Sequence, residues 1–268
     1  MKYPRRSNPR RSEQRPSPAG AVRPDPSAAA RSHIRVIRSE DLEPPNRHPW
    51  SDPILTFKTI LDKLLAVAFL IALAPLFAIV AILVKATSPG PVIYRQIRIG
   101  IDRRFDARIA SGQGRERRRL KLPGRPFVIY KFRTMIDGAE NGVGPTWAAP
   151  SDPRITPVGR ILRLLRIDEM PQFLNVLLGD MSIVGPRPER PAFVNDLINK
   201  VPGYPHRLRV KPGITGLAQV EHQYDSCLDD VHIKVQYDLR YIREHRLLLD
   251  ARILLKTVWV VLTGRGAR

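Results

Sequence analysis

Asp168 and Glu169 are the residues of this 268-residue sequence best suited to chemistry, because two adjacent carboxylates stand among short segments rich in Lys, Arg, Pro and Gly. Those segments are Lys131-Phe-Arg133, Gly185-Pro-Arg-Pro188 and Arg209-Val-Lys-Pro-Gly-Ile-Thr-Gly216. Proline and glycine fix the backbone there, and arginine presents a planar fork matched to phosphate oxygens. Carboxylates beside several such cationic segments point to a divalent metal and a phosphorylated substrate. The plain alternative is a capping pair, the usual role of acids ahead of a helix.

Helices must position that pair. Val158, Ile161, Leu162, Leu164 and Leu165 fall at spacings that make one apolar helical face, with Arg160, Arg163 and Arg166 on the rest. Pro171 interrupts this pattern and is welcome in a first turn, so a new helix is expected from near Asp168 to Gly179. That placement puts both carboxylates at a helix N-terminus, where dipole and free amides favour the ionised forms. Arg163 and Arg166 then lie close behind the pair, Arg163 alternatively being a solvated helix residue, and Asp180 reads as closing the helix. Upstream, Pro91 to Gln96 and Pro126 to Arg133 are rich in β-branched and aromatic residues and are expected to be short strands that can pair.

Leu64 to Val84 is an unbroken run of 21 uncharged residues. As a helix it would be about 31 Å long, enough to cross a bilayer core. Pro75 near its centre bends it. Both flanks are basic: Arg47, Lys58 and Lys63 precede the run, and Lys85, Arg95, Arg98, Arg103 and Arg104 follow it. A helix-break-helix that dips in and returns keeps both flanks on one side, whereas proline kinks also occur in ordinary spanning helices. Cysteines at Ser51 and Gln96, labelled from either side of sealed vesicles, separate the two topologies.

Residues 1–53 hold ten prolines and eleven Lys or Arg, with almost no apolar periodicity, and are expected to be a disordered basic arm. The arm is either a solvated tail or rests on anionic lipid headgroups through Arg31 to Arg38. A second basic stretch, 102–125, carries nine Lys or Arg against three acids and reads as a solvated loop, with headgroup contact the alternative. Overall, 45 Lys and Arg against 25 Asp and Glu give a net charge of +20, which calls for an anionic partner. Nucleic acid is disfavoured by the apolar run and by the lack of a recognisable binding motif. Cys227 is the single cysteine, so neither an internal disulfide nor a thiolate zinc site can form within the chain. Tyr241 to Gly264 reads as one helix with Leu and Val on a broad face, Trp259 near one end, and Lys256, Arg243 and Arg246 toward water. It is either interfacial or a core helix.

From about Phe57 to Thr263 the sequence resembles the bacterial sugar transferases, monotopic polyprenyl-phosphate phosphoglycosyl transferases. The resemblance rests on many short motifs in one order: Lys58 and Asp62, Ser88-Pro-Gly-Pro-Val92, Gln96 with Arg98 and Gly100, and Lys131-Phe-Arg-Thr-Met135. It continues through Asp152-Pro-Arg-Ile-Thr156, Gly159-Arg160, Asp168-Glu169 with Pro171-Gln172, and Asn175-Val-Leu. It closes with Gly179-Asp-Met-Ser-Ile-Val-Gly-Pro-Arg-Pro188, Pro212-Gly-Ile-Thr-Gly-Leu-Ala-Gln219 and Tyr237-Asp238.

The resemblance implies a helix-rich α/β domain with a small β-hairpin, 88–268, pressed onto the cytoplasmic face of a bacterial inner membrane. A re-entrant helix, 54–87, broken at Pro75, and interfacial amphipathic helices would hold it there; Ala74 stands where the family often has Ser. It implies that Asp168 attacks the β-phosphate of a nucleoside diphosphate sugar, expected to be a UDP-sugar, and expels UMP. Undecaprenyl phosphate then collects the phosphosugar from the covalent aspartyl intermediate, a ping-pong scheme that starts exopolysaccharide, capsule, O-antigen or glycoprotein glycan assembly. Glu169 is expected to hold Mg²⁺, and Arg187 to bind a phosphate. Lys131, Arg133, Arg163 and Arg209 are expected phosphate neighbours, and Thr215 and Gln219 nucleotide or phosphate contacts. Asp62 is expected to be a structural partner for a nearby base. Anionic lipids are expected partners, homo-oligomer formation stays open, and a catalytically silent membrane scaffold is the competing class.

Overall fold

The computed structural model describes residues 53–102, 123–140, 152–222 and 228–263. The arm 1–53, save its last residue, and the insert 102–125, save its ends, lie outside the described residues, as does Cys227.

Helix α1, Pro53–Thr87, contains the apolar run and continues through Pro75, so the expected break does not divide it into two helices. Pro75 has no N–H to give the Ile71 carbonyl, one turn back. One stripe of α1 packs on the rest of the protein along its whole length. Lys58, Asp62 and Ala66 are buried in the first half, and Val80 and Val84 in the second. Phe69 stacks on Phe173 and Phe77 meets Phe132 edge to face. The remaining faces expose Ile60, Leu64, Ile71, Ile79 and Ile82.

The two expected strands form an antiparallel hairpin, β1 (Ile93–Ile99) and β2 (Pro126–Phe132), in a register pairing Ile93 with Phe132 and Arg98 with Phe127. Helix α2, Pro157–Leu164, starts at Thr156, whose Oγ1 accepts from the Gly159 N–H at 2.9 Å. Proline at the first helical position and this cap explain the start. The expected helix from Asp168 to Gly179 is instead a 3₁₀ segment, Ile167–Gln172, followed by a short helix α3, Phe173–Leu178. Pro171 within the segment cannot donate an intrahelical bond, and Gly179 in the left-handed conformation ends α3.

Asn175 of α3 fastens this region to β2. Its Nδ2 donates to the Val128 carbonyl at 2.6 Å and its Oδ1 accepts from the Tyr130 N–H at 3.1 Å, with the side chain wholly buried. Asn175→Ala would leave two backbone groups of β2 unsatisfied in the interior, at about 1–3 kcal/mol each. We expect a loss of about 2–4 kcal/mol of stability, read as a thermal midpoint lower by several degrees. An unchanged midpoint would contradict this role.

Strand β3 (Ser182–Val184) pairs in parallel with β4 (Gly213–Thr215), Ser182 opposite Gly213 and Val184 opposite Thr215. Backbone bonds continue past the strand ends, from Gly185 N to Thr215 O and from Gly213 N to Pro186 O, both 2.9 Å. The approach demands glycine: a Cβ on Gly213 would sit 2.1 Å from the Gly185 nitrogen. Helices α4 (Pro191–Lys200), α5 (Leu217–Glu221), α6 (Leu228–Arg243) and α7 (Leu247–Leu262) complete the described chain, with a second 3₁₀ segment at Tyr204–Arg209. The core joins Ile99, Phe127 and Ile129 of the hairpin to Val176, Val184, Tyr204, Val235, Tyr241 and Ile253.

The single helix expected from Tyr241 to Gly264 is two, because α6 ends at Arg243 and α7 begins at Leu247. Helix α7 buries Ile253 and Asp250 on one side and exposes Leu248, Leu255, Val258, Trp259 and Leu262 on another, Leu248 being 83% exposed. The start of α1 is keyed to this layer by buried polar groups. Lys58 Nζ lies 3.3 Å from Asp62 and 2.9 Å from Asp250, Ser182 Oγ donates to Asp62 at 2.6 Å, and Tyr241 Oη lies 2.9 Å from Asp250. Asp62 is thus a partner for a base, as its position in the sequence suggested.

Candidate active site

The 3₁₀ segment is entered through Arg166, whose φ of 57° is the one left-handed non-glycine backbone among the described residues. A branched-chain-free but bulky side chain in that region is uncommon, and such strain gathers at functional sites. The turn drives Asp168 and Glu169 inward against β2, and each is only 8% exposed.

Glu169 is held by two cations from different elements. Its Oε1 accepts from Lys131 Nζ of β2 at 2.7 Å and from Arg187 Nη2 at 2.6 Å, while Oε2 accepts from Arg187 Nη1 at 3.2 Å. Arg187 Nη1 also donates to Gln219 Oε1 at 2.9 Å. Against the upward push of burial, Arg187 and then Lys131 hold the Glu169 carboxyl well below its usual range. Arg187 itself is raised, mainly by Glu169, whereas burial lowers Lys131.

Asp168 is the opposite case. Burial first, and the neighbouring Glu169 charge second, push its carboxyl up to about 6, while Lys131, Arg163 and Arg166 pull it back. Its Oδ1 is buried without a hydrogen-bond partner. The expectation that a helix dipole would keep both acids readily ionised therefore fails for Asp168, because the helix is a 3₁₀ turn and Glu169 takes the close cations. What results is one neutralised carboxylate beside one under-solvated carboxylate, the usual condition of a reactive oxygen.

A reaction needing the Asp168 carboxylate should slow as pH falls through about 6. We expect the rate to fall roughly tenfold per pH unit below that value and to level off above about 7. A profile flat between pH 5 and 8 would contradict an ionised Asp168 as the reacting group.

The site unites Asp168, Glu169, Lys131, Arg187 and Gln219, with Arg163 contributing charge to Asp168 while its Nε donates to Thr134 Oγ1 at 2.9 Å. Three other expected members make contacts of their own. Arg133 donates from Nη2 to the Ser88 carbonyl at 2.7 Å, fixing the turn after α1. Thr215 Oγ1 lies 2.7 Å from Thr257 Oγ1 of α7. Arg209 lines a cavity of about 90 Å³ with Lys58, Asp62, Ser182 and Tyr241. The parallel β3–β4 pairing explains the sorting: Arg187 and Gln219 both follow their strands and meet at one end, whereas Arg209 precedes β4 and falls at the other. Reasoning from sequence missed Arg207 and Lys234, buried charges behind Arg187, and the half-buried Glu189 that pairs with Lys234. Only their position near Gly185-Pro-Arg-Pro188 and Tyr237-Asp238 hinted at them.

Among the described residues no three His, Cys, Asp or Glu side chains gather as a metal centre. A magnesium ion needs fewer, since it typically takes one or two carboxylates and completes its shell with substrate phosphates and water. The pair fits that demand. Asp168 Oδ1 has no partner, and of the four lone-pair positions on Glu169 three are used, leaving one on Oε2.

The family profile described as bacterial sugar transferase matches residues 54–108 and 113–264. The chain belongs to that family. It is 42% identical, over 81% of its length, to a UDP-N-acetylgalactosamine-undecaprenyl-phosphate N-acetylgalactosaminephosphotransferase of Aeromonas hydrophila, and spans 46% of that protein. To the UDP-glucose:undecaprenyl-phosphate glucose-1-phosphate transferase of Escherichia coli (strain K12) it is 38% identical over 77% of its length, spanning 40% of the relative. The chain thus spans less than half the length of these two curated relatives. An exopolysaccharide production protein of Rhizobium leguminosarum bv. phaseoli is 34% identical over 79% of this chain and is spanned to 98%.

Proposed function

We propose that this chain transfers a sugar 1-phosphate from a UDP-sugar to undecaprenyl phosphate, releasing UMP, as the first step of a polysaccharide or related glycan. The observation that carries this reading is the pair itself: a buried Asp168 with a partnerless oxygen next to a Glu169 neutralised by Lys131 and Arg187. The names of the relatives supply the substrate class.

Asp168 Oδ attacks the β-phosphorus, a new O–P bond forms, and the bond from that phosphorus to the bridging oxygen breaks, so that UMP leaves with the electron pair. An oxygen of undecaprenyl phosphate then attacks the same phosphorus and frees the Asp168 carboxylate. Neither step requires proton abstraction from a hydroxyl, which suits a site whose described members include no histidine. A carboxylate approaching a diphosphate meets like charge, so Arg187 and Lys131 lower the barrier by neutralising it. Glu169 keeps both cations in place and, with Asp168, would hold Mg²⁺. When bound, the ion supplies further neutralisation of the diphosphate.

Helix α1 would enter the cytoplasmic leaflet of the bacterial inner membrane and return. This topology is supported by packing, because both halves of α1 contact the same body and a spanning helix would have to leave it. The exposed leucines and Trp259 of α7 would lie among the headgroups and bring anionic lipids to the basic surface. The test is protein in lipid nanodiscs with Mg²⁺, undecaprenyl phosphate and a panel of UDP-sugars, read as UMP release. Release with one sugar supports the reading and names the donor. No release with any nucleotide sugar, from folded and membrane-bound protein, would favour a silent scaffold.

A further inference from the structure

Arg187 belongs to a stretch of chain with little regular structure of its own, between β3 and α4, and two of its neighbours, Pro186 and Pro188, carry no N–H. With two of its five N–H groups missing, such a segment depends heavily on its carbonyls to be fixed. All five carbonyls from 186 to 190 have donors. Pro186 O accepts from Gly213 N at 2.9 Å, Glu189 O from Ile99 N at 2.9 Å, and Arg190 O from Val194 N at 3.0 Å. The two in the middle are bound by side chains: Arg187 O by Arg207 Nη2 at 2.9 Å and Pro188 O by Arg98 Nη1 at 3.1 Å.

Arg207 is itself locked. Its Nε lies 2.9 Å from Asp238 Oδ2 and its Nη2 2.8 Å from the same oxygen, while Nη1 donates to Tyr204 Oη at 3.1 Å. Arg207 is 3% exposed and Asp238 1%. Burying an ion pair this deeply is rarely justified by stability alone, since well-packed apolar side chains often serve as well. Here every nitrogen of the guanidinium is used, and one bond reaches the residue that grips Glu169. Lys234 with Glu189 at 2.7 Å completes the layer.

We propose that Arg207, oriented by Asp238 and Tyr204, is a positioning residue that sets the reach of Arg187 toward the reacting phosphate, with Arg98 in the same role one residue on. The proposal rests on the reading of Arg187 as a phosphate-neutralising group. Displacing a positioned group by about 1 Å can cost up to roughly 100-fold in rate. Lysine at 207 keeps the charge facing Asp238 but cannot hold Asp238, Tyr204 and the Arg187 carbonyl together from one rigid fork.

The test is a double-mutant cycle on the full chain in nanodiscs, with kcat and KM for the UDP-sugar measured well below each variant's thermal midpoint. Arg207→Lys should lower kcat about 10- to 100-fold with a smaller change in KM. In an Arg187→Ala background the same substitution should cost less than about 3-fold more, because the group it positions is already gone. If the two losses multiply, or if Arg207→Lys leaves kcat unchanged, Arg207 is structural and the proposal is overturned. Should Arg207→Lys fail to fold, Asp238→Asn, which keeps an acceptor for Arg207, takes its place in the cycle with the same expectations. If Arg187→Ala alone leaves kcat intact, the failure lies in the proposed role of Arg187, and Arg207 has nothing to position.

Discussion

Asp168→Asn should lower UMP release by about 10³-fold or more, a barrier increase of at least about 4 kcal/mol, while making the protein harder to unfold. The amide keeps the size and much of the hydrogen bonding of the carboxyl but cannot form the acyl phosphate. The stability gain follows from the sign of the pKa shift. Burial first, and the Glu169 charge second, push the Asp168 carboxyl from the ordinary aspartate range up to about 6 in the folded protein. The folded state therefore pays an ionisation cost that is absent below pH 4, grows between pH 4 and 6, and is fully present at pH 7. Asparagine never ionises, so at pH 7 the variant should be more stable by about 1–3 kcal/mol, and the advantage should vanish toward pH 4. Parallel thermal melts at pH 4 and 7 check this. A variant that is inactive because it is less stable at both pH values would assign Asp168 a structural role instead.

Arg187→Ala should be the next most damaging change. It removes both bonds to Glu169 and the one to Gln219, and it leaves Lys131 as the only cation hydrogen-bonded to the Glu169 carboxylate among the described residues. Loss of a preorganised donor aimed at developing charge typically costs about 10²- to 10³-fold in kcat. Arg187→Lys should recover only part of that, because a single ammonium cannot present two parallel N–H groups to a carboxylate and a third to Gln219. Steady-state kinetics of both variants, with folding checked by melt, give the comparison. Equal rates for Arg187→Ala and the unaltered chain would remove this residue from the site.

Much of this was written locally in the chain. The hairpin followed from two β-branched and aromatic runs, the long apolar helix from 21 uncharged residues, and the acidic pair from its company of fixed cationic turns. What local pattern could not supply was which cations meet the pair. Lys131 lies within β2 and is aimed by the strand, whereas Arg133 falls just past its last residue, where alternation no longer dictates direction. Arg187 follows β3 and Arg209 ends the 3₁₀ segment before β4, and parallel pairing of two three-residue strands sends them to opposite ends. Such strands are too short to announce themselves or their partners by periodicity. The 3₁₀ turn was hidden for a related reason: Pro171 marks an interruption but does not say which side of it is helical.

The direct test of the central claim is to incubate the protein in nanodiscs with Mg²⁺ and its UDP-sugar, omit undecaprenyl phosphate, quench, and weigh the intact chain. The account predicts a mass gain of one phosphosugar, mapped to Asp168, matched by a burst of UMP, and removed when undecaprenyl phosphate is added. UMP released only in the presence of undecaprenyl phosphate, with no adduct on the protein, would mean direct transfer and would contradict Asp168 as the nucleophile.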